Sequence, residues 1–267
     1  MQIEIGGRCV GYDDAGRGLP VLFLHGFPHE RSLWTHQRIA LSSRVRCIVP
    51  DLRGFGESDG VAHDMDTYAD DSVALMDAVD VADAVVCGLS MGGYIAMAMW
   101  RRHPSRVRGF VFCDTRAGAD TAEGRAARNT MIAKARDEGA SAIAEAQIGK
   151  MVGEDTHASR PDVVETVQRM MARQSIPAIT GALQALRDRP DSRETVASIT
   201  VPTLVLVGEH DVLTPPAEAA ELLALLPAQA AGRLETIAGA GHVSCVERPA
   251  AVTHALADFL ATFSKPG

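Results

Sequence analysis

The stretch Gly88-Leu89-Ser90-Met91-Gly92 sets one hydroxyl group between glycines, directly after the small apolar residues Ala84 to Cys87. Serine alone is a weak nucleophile. It becomes reactive when a base takes its proton and a carboxylate holds that base in the right tautomer. The chain offers both, with Asp211 in Gly208-Glu209-His210-Asp211 and His242 in Gly239-Ala240-Gly241-His242. A G-x-S-x-G turn from strand to helix lifts the serine clear of the backbone. Such a turn strains the serine dihedrals and crowds the positions two before and two after it, so Gly88 and Gly92 are expected to be needed together. The Met91 amide opens the next helix and is placed to donate to a developing oxyanion. In "VLFLHGFP", Val21 to Pro28, the Phe27 amide is the candidate second donor, and His25 is expected to prop that loop rather than perform chemistry.

Each piece taken singly has an ordinary structural explanation. G-x-S-x-G arises by chance, a histidine in a glycine loop is commonly structural, and an aspartate after a strand is commonly a cap or turn residue. The order Ser90, Asp211, His242, each at a predicted strand end, is what favours catalysis. One competitor for the acid is Asp114, which also ends a strand, "FVFCD". Asp211 is preferred because "GEHDVLTPP" leads into a helix and then the histidine strand.

The elements that must position these residues alternate. "PVLFLHG", "RCIVPD", "AVVCGLS", "RGFVFCDT", "PTLVLVGEHD" and "RLETIAGAGH" predict buried strands. Helices are predicted over Ser32–Leu41, Thr67–Asp80, Met91–His103, Pro216–Leu226 and Pro249–Phe263. Repeated strand-helix-strand units make an α/β fold with a mostly parallel central sheet flanked by helices, whose carboxyl edge receives ligands. The first fifteen residues predict an antiparallel hairpin at the sheet edge. From Thr115 to about Ser198 the pattern turns helical, in four segments rich in alanine. The expected organisation is a core of 1–114 and 199–267 with a helical cap at 115–198. Thr115–Glu194 carries twelve basic and twelve acidic residues, so the rest of the chain holds the entire net charge of −8.

That charge disfavours nucleic acid as a partner. No apolar run reaches the roughly 18 residues of a membrane span. The start "MQIEIGGRCVGYDDAG" has no basic and apolar leader, so a cytoplasmic location is expected. The five cysteines lack metal-ligand spacing and are expected to be free thiols, with Cys245 placed near the site by its spacing from His242. "PDLRGFGESDG" has neither the glycine order nor the lysine of a phosphate loop, and no H-E-x-x-H cluster occurs, so no metal or cofactor is expected.

"HGFP", "PDLRGFGESD", "GLSMGG", "GEHD" and "GAGH" together resemble the α/β-hydrolase superfamily over nearly the whole chain. Within it the chain resembles the bacterial esterase and 3-oxoadipate enol-lactonase-like group. The resemblance implies a serine triad and a helical cap. Serine rather than aspartate at position 90 and a cap without tyrosine set it apart from haloalkane dehalogenases and epoxide hydrolases. The expected function is hydrolysis of a small carboxylic ester or lactone. A cofactor-free perhydrolase or acyltransferase would share the triad, and a ligand receptor on the same fold stays a third reading; a homo-oligomer is left open. Met131, Met151, Met170 and Met171, in the cap helices, are expected to line an aliphatic pocket.

Overall fold

The computed structural model describes residues 1–264. Its eight strands are β1 (Gln2–Ile5), β2 (Arg8–Ala15), β3 (Pro20–Leu24), β4 (Arg46–Pro50), β5 (Ala84–Leu89), β6 (Val107–Cys113), β7 (Thr203–Gly208) and β8 (Arg233–Ile237). They form one sheet in the order β1-β2-β4-β3-β5-β6-β7-β8. The β1–β2 hairpin is antiparallel, β2 runs antiparallel to β4, and every other neighbouring pair is parallel. Parallel strands require crossovers, and the crossovers carry the helices.

The core helices are α1 (Thr35–Leu41), α2 (Met65–Ala78) and α3 (Met91–Arg102) before the sixth strand. Between β6 and β7 run α4 (Ala122–Glu138), α5 (Ala140–Met151), α6 (Glu154–Ser159), α7 (Pro161–Ala172), α8 (Ile176–Asp188) and α9 (Arg193–Ala197). The chain closes with α10 (Pro216–Leu225), α11 (Ser244–Glu247) and α12 (Pro249–Ala261). Among the described residues no helix is long and apolar enough to cross a membrane.

The central strands are apolar on both faces because both are covered. In β3, Leu22 and Leu24 face a core shared with α2 and α3, while Val21 and Phe23 face the core holding α1 and α12. β5 and β7 alternate in the same way, with Val86, Val205 and Val207 on the first side and Cys87, Leu204 and Leu206 on the second. Each such fully buried side chain contributes about 1.5–3 kcal/mol by leaving water. β8 differs from its predicted burial. Its Arg233 to Glu235 are only half-buried and Thr236 is exposed, because β8 is the sheet's last strand and has a neighbour on one side alone.

Helix boundaries follow local chemistry. α2 begins two residues before its predicted start because the Asp64 carboxylate caps it, accepting from the Thr67 amide at 2.6 Å. The predicted helix at Ser32–Leu41 is split into a 3₁₀ turn over Arg31–Trp34 followed by α1. In the β6–β7 connection the four predicted helical segments correspond to α4, α5, α7 and α8, with short α6 and α9 added. Here α4 packs on α8 and α5 on α7. The connection is stitched to the strand-end loops: Val243 N–H donates to the Met151 carbonyl at 3.0 Å, and the Gln174 carboxamide oxygen accepts from Gly56 N–H at 3.1 Å.

Candidate active site

Ser90 follows β5 directly and stands at φ 53°, ψ −111°, a conformation a side-chain-bearing residue rarely adopts. The strain is held by hydrogen bonds: Ser90 N–H donates to the Cys113 carbonyl at 2.9 Å, and the Ser90 carbonyl accepts from Gly93 N–H at 2.9 Å and from the Thr115 hydroxyl at 2.9 Å. A Cβ on Gly88 would overlap the Gly92 carbonyl, as the tight turn predicts. A Cβ on Gly92 would instead overlap the Leu24 carbonyl. The second glycine is therefore demanded by the close approach of β3, rather than by its counterpart across the turn.

The loops after β7 and β8 bring Asp211 and His242 together. His242 Nδ1 lies 2.8 Å from Asp211 Oδ2, with both side chains almost wholly buried. Asp211 Oδ1 accepts from the amides of Leu213 and Thr214 at 2.8 and 3.0 Å, and Oδ2 accepts from the Thr214 hydroxyl at 2.7 Å. Burial alone would raise the Asp211 pKa. The His242 charge and hydrogen bond, followed by the Thr214 amide and hydroxyl, outweigh burial and lower it. Burial likewise pulls His242 down, but Asp211, Asp114 and Glu247 together leave its pKa above the usual 6.5. With Asp211 bonded to Nδ1, His242 Nε2 bonds to no protein atom among the described residues.

Asp114, the competing acid, directly follows β6 at φ 47° and is fully buried. It reaches not His242 but Gly208 N–H, at 2.7 Å, and the Ser244 hydroxyl, at 2.6 Å. Burial first, and the nearby Asp211 charge second, push its pKa up to about 8. Two adjacent buried carboxylates do not both ionise readily. Asp211, which holds the imidazole and three further donors, is the one that carries the charge.

Phe27 and Met91 differ in their relation to the site. Neither amide donates to a protein acceptor among the described residues, and Phe27 lines the cavity at Ser90, whereas the Met91 side chain is buried in the core. His25 props the Phe27 loop. Leu52 N–H donates to its Nε2 at 3.0 Å, so the ring proton sits on Nδ1 and donates to the Gly26 carbonyl at 2.9 Å. Burial lowers its pKa to about 4, which keeps the ring neutral. His29, two residues past Phe27, is also fully buried and neutral, and neither of its ring nitrogens has a protein partner. Glu247 was not singled out by its sequence context. Its buried carboxylate joins the histidine loop to the helical connection, accepting from Gly241 N–H at 2.8 Å and Gly153 N–H at 2.7 Å.

Ser90 and His242 open on one cavity of about 70 Å³. Its apolar lining is Phe27, Met151, Leu186 and Leu213, and its polar lining includes Tyr94, Arg116, Arg128, Gln147 and Thr214. The expectation of a pocket lined by four methionines is corrected. Met151 lines the cavity, but Met170 and Met171 are buried in the core against α12's side of the sheet, and Met131 packs on the opposite core with Gln147 Nε2 3.7 Å from its sulfur. The wall is also more polar than an aliphatic pocket. Cys245 is buried with its thiol toward the Leu33 carbonyl at 3.9 Å and does not line the cavity. Burial raises its pKa well above the usual thiol value, which makes it unreactive.

The family described as alpha/beta hydrolase fold matches residues 20–249, and the chain belongs to it. The chain is similar to a thermophilic esterase from Thermogutta terrifontis, at 37% identity and TM-score 0.94, covering 98% of each chain. It is similar to the enol-lactonase from Burkholderia xenovorans LB400, at 28% identity and TM-score 0.90, covering 98% of this chain and 100% of that one. It is 32% identical, over 95% of its length and 98% of the relative, to BpoC of Mycobacterium tuberculosis, provisionally named a non-heme bromoperoxidase.

Proposed function

We propose that this α/β-hydrolase cleaves a small carboxylic ester or lactone through an acyl-enzyme on Ser90. The observation that carries the reading is the strained Ser90 sharing one small cavity with an imidazole whose Nδ1 is held by a charged Asp211. His242 Nε2 takes the Ser90 proton as Oγ attacks the acyl carbon. Asp211 stabilises the imidazolium, and the Phe27 and Met91 amides receive the negative charge that develops on the carbonyl oxygen. The imidazolium returns its proton to the departing alkoxide. Water then gives a proton to His242 and attacks the acyl carbon, the bond to Ser90 Oγ breaks, and the imidazolium returns its proton to Oγ as the acid leaves. The helices between β6 and β7 act as the cap over this cavity.

The esterase and enol-lactonase neighbours support the substrate class. The test is covalent labelling with a fluorophosphonate. Modification should fall on Ser90 and abolish ester hydrolysis, and Ser90→Ala should lose about 10³-fold or more in kcat. Labelling elsewhere, with Ser90→Ala still active, refutes the assignment. The BpoC resemblance favours a second use of the same acyl-enzyme, in which hydrogen peroxide replaces water and the product is a peracid. Peracid formed from acetate and peroxide by the wild type, and absent in Ser90→Ala, would establish that branch.

A further inference from the structure

His242 is followed almost at once by the short helix α11, whose residues are tied in different directions. The Ser244 hydroxyl donates to Asp114 at 2.6 Å, toward the sheet. The Cys245 carbonyl accepts from the Gln37 carboxamide at 3.0 Å, toward α1. Glu247 reaches the helical connection instead. One of its carboxylate oxygens accepts from Gly241 N–H at 2.8 Å and the other from Gly153 N–H at 2.7 Å. A single side chain thus spans the residue before His242 and the residue that opens α6.

The backbone explains why a carboxylate stands there. The two loops touch: a Cβ on Gly241 would overlap the Gly153 amide nitrogen and the Val152 carbonyl carbon. Both glycines are buried, and neither amide has a backbone acceptor among the described residues. Two buried N–H groups on backbones this close need one acceptor that serves both. A carboxylate offers an oxygen to each, whereas a carboxamide offers one oxygen and sets its NH₂ against the second amide. Glu247 is only 1% exposed, and its oxygens are spent on these amides rather than on a cation. A buried carboxylate without a cation is costly, so the fold retains this one against its desolvation.

We infer that Glu247 is a positioning residue for His242: it clamps the loop of the base to the Met151–Gly153 segment, so that the imidazole and the helical wall of the cavity keep one fixed relation. This rests on the proposed role of His242 as the base. The residues on either side of the imidazole are both bonded to that segment, Gly241 through Glu247 and Val243 through the Met151 carbonyl, and the Met151 side chain lines the Ser90 cavity. The clamp also brings a negative charge toward the imidazole. The groups that face His242 are Asp211 at its Nδ1, Asp114 behind Ser244, Glu247 in its own loop, the neutral His29, and Arg116 and Arg128 in the cavity wall. Burial lowers the His242 pKa, while Asp211, Asp114 and Glu247 raise it. Losing the Glu247 charge therefore makes the imidazole a weaker base. The competing explanation is that Glu247 only ties down the helices. Its loss would then lower the Tm and leave the chemistry unchanged.

The experiment compares Glu247→Gln and Glu247→Asp with the wild type on p-nitrophenyl acetate, through kcat, KM and the pH dependence of kcat/KM. In Glu247→Gln, kcat should fall about tenfold or more with KM changed less than about threefold, because the imidazole is misplaced while the cavity still binds. The acid limb of kcat/KM should move to lower pH by about half a pH unit, since activity needs neutral His242 and the imidazolium releases its proton more readily without the Glu247 charge. Glu247→Asp keeps the charge but is one methylene too short to hold both amides. Its kcat should fall while its acid limb stays near that of the wild type. A wild-type kcat in Glu247→Gln, or an acid limb that does not move, overturns the inference whatever happens to the Tm. If Glu247→Gln does not fold, Glu247→Asp decides, and an unchanged kcat there overturns it. If the wild type cleaves no ester and Ser90 resists fluorophosphonate, the proposed chemistry fails instead. The clamp is then read without substrate, by NMR titration of the His242 ring in the full chain. Its midpoint should fall in Glu247→Gln, and an unmoved midpoint overturns the inference.

Discussion

The two walls of the Ser90 cavity are held by different means. On the sheet side, each Asp211 carboxylate oxygen has two donors, and Asp114 links the loops after β7 and β8 through Gly208 and Ser244. On the helical side, Arg128 hangs from one nitrogen and remains about a quarter exposed. Groups that must hold one geometry sit on loops pinned by backbone amides. The polar groups on the helical side come from side chains on α4 and α5, where one can be exchanged without moving a strand. Losses on the sheet side should therefore be large and indifferent to substrate. Losses on the helical side should be smaller and selective.

The largest expected effect separates the two acids of the sheet wall. Asp211→Asn should lower kcat by about 10³- to 10⁴-fold with the fold intact, because the imidazole loses the carboxylate that fixes its tautomer. Asp114→Asn should cost far less, since Asp114 reaches the loops and not the imidazole. Steady-state kinetics on one neutral ester decides it, and the reverse ranking would assign the role to the wrong strand end.

The sheet wall was legible in the sequence, and the helical wall was largely not. Ser90 directly follows β5, Asp211 stands three residues past β7 and His242 five past β8; the buried runs of β5 and β7 mark their own ends, whereas β8 is placed by the glycine loop that follows it. Gly88 announced the elbow because backbone crowding there excludes any side chain. Gly92 was expected for the wrong reason, since the β3 backbone that crowds it is distant in sequence. α6 and α9 escaped notice because six and five residues are too short to show a helical period. The methionines misled because an apolar residue on a connection that packs against both cores need not face the cavity; only Met151 does. Arg116 and Arg128 sit among twelve cations balanced by twelve acids, and helical charges usually mean a solvated face. One signal was present: Arg116 lies three residues past the end of β6 and four before Asp120, where an i,i+4 pair forms at a site edge.

A middle-sized effect probes the cavity between the walls. At about 70 Å³ it holds several water-sized volumes and no long chain. Across p-nitrophenyl esters of neutral straight-chain acids, kcat/KM should be highest from acetate to butyrate and fall at least tenfold by decanoate. A lipid–water interface should bring no activation. A steady rise into long chains would mean that the helices move aside and that the cavity as drawn does not limit the acyl chain.

The smallest expected effect tests whether the sheet wall carries one charge or two. Asp114, with its pKa pushed up to about 8 from the usual 3.8, is protonated in the folded protein over a range where the unfolded chain has released the proton. The folded state then binds more protons than the unfolded one, so this group's contribution to stability falls as pH rises from about 4 to about 8. Asparagine has the shape of the neutral acid. Its carboxamide oxygen can accept from Gly208 N–H and its NH₂ can donate to the Ser244 hydroxyl, with no proton to lose. The Tm of Asp114→Asn minus that of the wild type should therefore grow by a few degrees between pH 5 and pH 8. Taking the difference cancels the contributions of Asp211 and His242 to the extent that they are unchanged. Asp114→Ala is the control. It leaves the buried Gly208 amide and Ser244 hydroxyl unpaired and should be less stable at every pH, by about 1–3 kcal/mol. A difference that stays flat or shrinks as pH rises would show Asp114 ionised beside Asp211. Asp114 would then add its charge to that of Asp211 in raising the His242 pKa, and the sharp division of labour between the two acids would be lost.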